Sequence, residues 1–327
     1  MSPSSTNGAV SRSGVAPNDG VAPSSGPASR STRAFGFATP HAAGLSVGRE
    51  HVSYVEIAKT AQKWGVRHVG AAKINGRLFA GETSASAAAL VPALTTAVGD
   101  RTPRFGPLHV SVPDAAVRTS LFELDAMPAS RTAQDAFIEF RMSRESGATK
   151  YRYASQPLGR AKSGKHFLLG LALEEKWHLA IETALKEAGL RAWSLNANAL
   201  RQFNLHHEHI RDRAGALVTL EPDTWSLLIW DAGGLLRYSR AQWRVDELDA
   251  PEIAAEIERS ILGYVHSENG RAVEQIWVCA GTGAAELTEL LNARATTPCQ
   301  VLNTAGYLGT AQDVLRYEAA LAAALQS

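Results

Sequence analysis

Apolar residues recur at two periods along this chain, and each change of period marks an element. Leu45 and Val47 alternate with Ser46, Gly48 breaks the run, and Val52, Tyr54 and Ile57 resume it. That pattern predicts strand, tight turn and strand over 43–57. A bend at such a glycine gathers backbone N–H groups and can cradle an anion; it can equally be a plain hairpin turn. A further strand follows at 65–74, then a helix within 85–98 that Pro92 must start or kink, then an alternating strand at 108–112 that Pro113 stops. The next block reads as a strand at 118–124, a helix at 133–143 with Phe137 and Phe140 on one face, an aromatic–polar strand at 150–154 and a continuous apolar strand at 166–173. The helix at 174–188 has the sharpest pattern, with Trp177, Ile181, Leu185 and Ala188 at helical spacing and a Gly189-Leu190 stop of the Schellman kind.

The second half repeats the theme. A connecting helix at 197–209 leads to three strands at 216–220, 227–230 and 235–240, the last two joined by a turn at 231–234. Residues 251–265 place Ile253, Ile257 and Ile261 four apart behind Pro251, which suits the first turn of a helix. A strand at 275–280, a Gly281-Thr282-Gly283 turn, a helix at 284–292, a short strand at 300–302 and an Ala-rich helix at 308–325 complete the pattern.

Composition changes the picture at the ends and in the choice of partners. Residues 1–34 are mostly Ser, Pro, Gly, Ala and Asn, with no Leu, Ile or aromatic residue. They have too little to bury to offset ordering entropy, so a disordered tail is expected. Lys and Arg number 33 against 32 Asp and Glu, which gives no reason to expect nucleic acid. Two cysteines, Cys279 and Cys299, cannot frame a small disulfide fold and suit a reducing, cytoplasmic setting. The sequence has no apolar run long enough to cross a membrane, so membrane association is expected only through a partner.

Three motifs bear on chemistry. Gly159-Arg-Ala-Lys-Ser-Gly-Lys-His166 nearly matches a phosphate-binding loop, but His166 stands at the Mg²⁺-binding hydroxyl position and a strand follows where a helix should open. A solvated basic loop is expected. His206-His-Glu-His209 has zinc-like residues at helical spacing, yet it falls where a helix should end, and an exposed polar helix end is expected. Gly281-Thr282-Gly283 lies between an apolar strand and a helix, a context in which glycines let backbone approach a ligand closely.

Taken in order, these segments resemble the PilM family of type IV pilus assembly proteins, which share the actin-like fold with FtsA and the cytoplasmic part of GspL. Residues 44–57 resemble the family's opening G-[LI]-D-I-G-S-S-S-V-K-x-V-E-L, and Leu108-His-Val-Ser-Val-Pro-Asp114 resembles its V-x-x-S-[LV]-P segment. Ala188-Gly-Leu190 with Asn198-Ala-Leu200, Gly281-Thr282-Gly283 with Leu290-Leu291, and the Ala-rich end resemble later family segments. The resemblance runs from about residue 35 onward. It implies an α/β fold: two actin-like (ribonuclease H-like) lobes with a small inserted α+β subdomain. The expected divisions are a first lobe at 35–213 with the insert at about 117–190, a second lobe at 214–303, and a C-terminal helix at 304–327 returning to the first lobe. Nucleotide would sit between the lobes, near Gly48, Arg49, Glu221, Gly281, Thr282 and Gly283.

The departures decide what activity to expect. Each hairpin of a nucleotide-binding member carries an Asp that helps hold Mg²⁺; here those positions are Ser46 and Thr219, and Pro222 removes an N–H near the second turn. Glu221 is a possible substitute acid, and Arg49 a possible anion clamp. The resemblance therefore implies a scaffold that binds the cytoplasmic N-terminal peptide of a PilN-like inner-membrane protein, with ATP or ADP bound weakly without turnover or not at all. An active actin-like ATPase or sugar-kinase-like phosphotransferase is the alternative, although no general base stands at a matching position. An FtsA-like filament protein is a further alternative.

Overall fold

The computed structural model describes residues 41–60, 63–79, 87–99, 107–144, 147–160, 164–221, 224–231, 234–242, 249–267, 272–279, 281, 283–303 and 317–325. Two five-stranded sheets are built to the same plan. In the first, β1 (His41–Val47) lies between β2 (His51–Thr60) and β4 (Leu108–Val112), β3 (Lys63–Lys73) flanks β2, and β8 (Ala192–Ala197) flanks β4. β1–β2 and β2–β3 are antiparallel, whereas β1–β4 and β4–β8 are parallel. The second sheet repeats this order with β11 (Gly234–Gln242), β10 (Thr224–Asp231), β9 (Gly215–Glu221), β12 (Gln275–Cys279) and β13 (Cys299–Leu302). The same three antiparallel strands lead into the same two parallel ones, and each parallel crossover carries a helix, as parallel pairing requires.

The helices match as well. α1 (Ala87–Val98) and α3 (Glu175–Glu187) serve the first sheet as α5 (Ala250–Val265) and α6 (Ala284–Arg294) serve the second. Pro92 sits inside α1. α4 (Asn198–Ile210) follows β8, and α7 (Glu318–Ala324) returns to the first sheet. At Gly44 the backbone of α7 comes so close that an added Cβ would stand 1.8 Å from the Ala320 carbonyl oxygen, so only glycine fits there. Ala320, Leu321 and Ala324 bury against Ala42, Val55 and Ile57. The predicted helix at 308–325 is seen as α7 from residue 318; 304–316 lie outside the described residues.

Between β4 and α3 the chain inserts a three-stranded sheet in the order β5–β7–β6, formed by β5 (Val117–Leu124), β6 (Tyr151–Arg160) and β7 (His166–Glu174). α2 (Arg131–Ser143) covers one face through Ile138 and Met142, capped by Ser130, whose hydroxyl accepts from the Ala133 N–H at 3.2 Å. The phosphate-loop look-alike is the β6–β7 connection, and it runs into β7 as expected. Pro157 lies on edge strand β6, at a register shift where a missing N–H is tolerated.

The main core continues from the first sheet into the second. Phe203 of α4 meets Trp230 edge-on at 5.3 Å, and Trp230 stacks on Trp277 at 5.4 Å. The Trp230 indole N–H donates to the Ile210 carbonyl at 3.3 Å.

Candidate functional site

The two sheets meet where the strands end. β4 stops at Val112, Pro113 follows, and a short 3-10 turn at Asp114–Ala116 swings Asp114 toward the second sheet. Asp114 is fully buried. Its Oδ2 accepts from the Ser226 hydroxyl at 2.7 Å and the Thr219 hydroxyl at 3.3 Å. Thr219 on β9 and Ser226 on β10 are register partners, so strand pairing itself presents both hydroxyls to one oxygen. Its Oδ1 accepts from the Ala199 N–H at 2.8 Å. Ala199 is in the first turn of α4, whose N-cap residue Ala197 offers no side-chain cap. Asp114 therefore caps a helix 85 residues away, where N–H groups and the helix dipole favour an anion.

The peptide around Asp114 is held too. Its N–H donates to Glu221 Oε2 at 2.9 Å. Arg240 of β11 donates to the Asp114 carbonyl, and to the Val117 carbonyl at 2.6 Å. Burial pushes the Asp114 carboxyl above the ordinary aspartate range, while the Ala199 amide, Ser226, Thr219 and the Arg240 charge pull it partly back. Burial, then the Asp114 charge, raises the nearby Tyr238 phenol well above its usual value.

The expected site residues lie at the β1–β2 turn, at the end of β9 and at the start of α6. Gly48 donates its N–H to the His51 carbonyl at 2.8 Å, closing the β1–β2 turn. The carbonyls of Arg49 and Glu50 accept from Leu78 and Ile74, at 2.8 and 2.7 Å, so the 74–78 loop holds that turn. The Arg49 side chain is half-buried. The other residues gather at the end of β9: Glu221 on Asp114, and Gly283 beside Leu220, where an added Cβ would stand 3.9 Å from Leu220 Cδ1. Gly283 has φ 81°, a left-handed backbone suited to glycine, and its carbonyl begins α6 by accepting from Leu287 at 2.9 Å. Gly281 accepts from the Ala284 N–H at 3.2 Å. Thr282 lies outside the described residues.

Ser46 and Thr219 carry hydroxyls where carboxylates were needed, and the Thr219 hydroxyl donates to Asp114. Glu221 accepts an amide proton with the oxygen a cation would want. Asp114 presents no surface to solvent.

Two buried groups were missed or misread from the sequence. The expected exposed helix end at 206–209 is only partly so: His206 is completely buried, while Glu208 and His209 are exposed. α4 runs on to Ile210, and its apolar face takes position 206 inward with Phe203 and Ile210. Burial, then the nearby His209 charge, lowers the His206 pKa to about 4. Among the described residues no three His, Cys, Asp or Glu side chains gather as metal ligands. The second group joins β4, β8 and α4. His109 Nδ1 lies 2.7 Å from the Ser194 hydroxyl, and Arg201 donates to that hydroxyl at 2.6 Å and to the Val110 carbonyl at 3.2 Å. Burial lowers the Arg201 pKa to about 10; burial and then the Arg201 charge lower that of His109. With Ser194 held by a buried guanidinium and His109 only 6% exposed, this Ser–His pair ties β4, β8 and α4 together.

The repeated sheet plan defines an actin-like ATPase fold, and the comparisons agree. The chain is similar to a chain of the PilM–PilN type IV pilus biogenesis complex: 14% identity, TM-score 0.70, over 87% of this chain and 98% of that one. It is also similar to a Bacteroides thetaiotaomicron protein with an actin-like ATPase fold and unknown function, at 7% identity and TM-score 0.51, over 86% and 95% of the two chains. No family model matches the sequence, and no curated protein does.

Proposed function

We propose that this chain is a PilM-like scaffold of a type IV pilus or type II secretion assembly platform, and that its nucleotide site no longer turns over ATP. The observation that carries the reading is the use of the interlobe polar groups. Thr219, in place of a metal-binding Asp, and Glu221 both bind Asp114. A phosphoryl-transfer site needs carboxylates facing a metal that neutralises charge on the phosphates. Here the same positions join the lobes. A scaffold needs a fixed groove for an extended peptide and no catalysis. The neighbour of known assembly is a PilM–PilN complex, which favours a PilN-like membrane protein as the peptide's source. In this reading the chain works in the cytoplasm at the inner membrane, and ATP or ADP binds weakly or not at all.

The test pairs two measurements on the purified full chain. Titration calorimetry with the N-terminal cytoplasmic peptide of a PilN-like protein from the same genome is expected to show micromolar-range binding (~1–100 μM). A coupled assay is expected to show no Mg²⁺-dependent ATP hydrolysis above background. Mg²⁺-dependent turnover, or the absence of peptide binding, would overturn the proposal.

A further inference from the structure

Near-neutral overall charge conceals a strong division. Residues 41–213 hold 23 Lys and Arg against 16 Asp and Glu, whereas residues 214–303 hold 6 against 13. Every lysine of the chain lies in the first group. Residues 41–213 are thus net cationic and residues 214–303 net anionic.

The first lobe also carries a projecting indole. Trp193 is 78% exposed, while Trp177, Trp225, Trp230 and Trp277 are buried. It sits on β8, an edge strand of the first sheet. Leu108 pairs with Ala192 and the next residue, His109, pairs with Ser194, so Trp193 is the extra residue of a β-bulge. Bulges re-aim side chains, and this one turns the indole out of the ladder. Exposed Arg191 precedes the strand, and exposed Lys186 stands in the last turn of α3, just before the Gly189 stop.

We propose that Trp193, Arg191 and Lys186 form the contact by which the first lobe rests on an anionic phospholipid surface. Indoles settle at the headgroup level, with an apolar body and a polar N–H, and basic side chains beside them meet phosphates. Screening makes the charge division effective. At physiological salt the field of a charged surface fades within about 8 Å, so a lobe laid on the surface feels it and the far lobe does not. Turned toward the surface, the acidic second lobe would be repelled, which fixes which end faces the lipid. A headgroup layer is uniformly negative and yields to a projecting ring. A second copy of the chain would instead need a recess shaped for the indole. One indole and a few cations make a reversible contact, so it orients the protein and does not anchor it. This inference does not depend on peptide binding, which is measured without lipid.

Vesicle sedimentation of the full chain tests it. Binding is expected to vesicles of phosphatidylcholine with about a third phosphatidylglycerol, and not to phosphatidylcholine alone. Binding should fall roughly tenfold between about 50 and 200 mM salt. Trp193→Ala, and separately Arg191→Glu with Lys186→Glu, should each weaken it about fivefold or more, with Trp193→Phe in between. Brominated lipid should quench wild-type fluorescence and leave Trp193→Phe unquenched. These are surface substitutions, and an unchanged circular dichroism spectrum would confirm folding. Equal binding to both vesicle types, equal binding by Trp193→Ala, or Trp193-dependent self-association without vesicle binding would overturn the proposal.

Discussion

Asp114 shows how much one side chain can organise. It receives donors from three elements in both lobes, and its own peptide is held by Glu221 and Arg240. Asp114→Ala would leave the Ala199 amide and two buried hydroxyls without their acceptor. A loss of about 3–5 kcal/mol in urea unfolding is expected, as when one partner of a buried charged network is removed. His206 makes a prediction of opposite chemistry. Its folded pKa, about 4, lies below the ordinary histidine value of 6.5. The unfolded chain therefore binds the proton first, so the stability this residue contributes is complete above pH 6.5 and is lost as pH falls toward 4. The loss is on the order of 3 kcal/mol. Unfolding curves from pH 7 to 4 should show it, and His206→Gln should flatten that part of the slope. Neither residue announced itself in the sequence. Asp114 closes the Leu108–Asp114 segment, but its partners lie 85 to 126 positions away, beyond any local pattern. His206 was legible in principle: it follows Phe203 by three and precedes Ile210 by four, on the apolar face of a helix.

Elements with clean periodicity were readable; elements shaped by neighbours were not. β10, buried at every position, and α3 with its Gly189 stop appear where the pattern put them. β8 escaped because its bulge breaks the alternation and leaves Trp193, the largest apolar residue of the strand, facing solvent. The Gly44 contact was equally hidden, since a glycine in a strand does not name the helix that needs its missing side chain. Gly44→Val should push α7 off β1 and lower stability by at least about 2 kcal/mol, measured as a drop in the thermal midpoint. Gly48→Ala is the contrast: an added Cβ there meets one turn carbonyl at 3.0 Å, and a smaller change, under about 1 kcal/mol, is expected.

At the scale of the molecule, two sheets of one plan meet through a buried carboxylate and a stack of tryptophans. The repeated plan was legible because hairpin, helix and strand patterns recur in the same order in both halves. The junction was not, because residue types alone could not tell that Glu221 would face an amide proton. A molecule joined this way should not open or close around nucleotide. Small-angle scattering with and without Mg²⁺-ATP is expected to give the same radius of gyration, whereas a shift of more than about 1 Å would indicate a working hinge. The seat of α7 on β1 also sets a timetable for synthesis. Ala42, Val55 and Ile57 leave the ribosome about 260 residues ahead of Ala320 and Leu321, which cover them. At ordinary elongation rates that interval is roughly a quarter of a minute to a minute, during which an apolar strand face waits uncovered in the nascent chain. Chaperone occupancy over that interval, and aggregation of chains stalled before Tyr317, are the cellular costs of closing a first lobe with a helix made so much later.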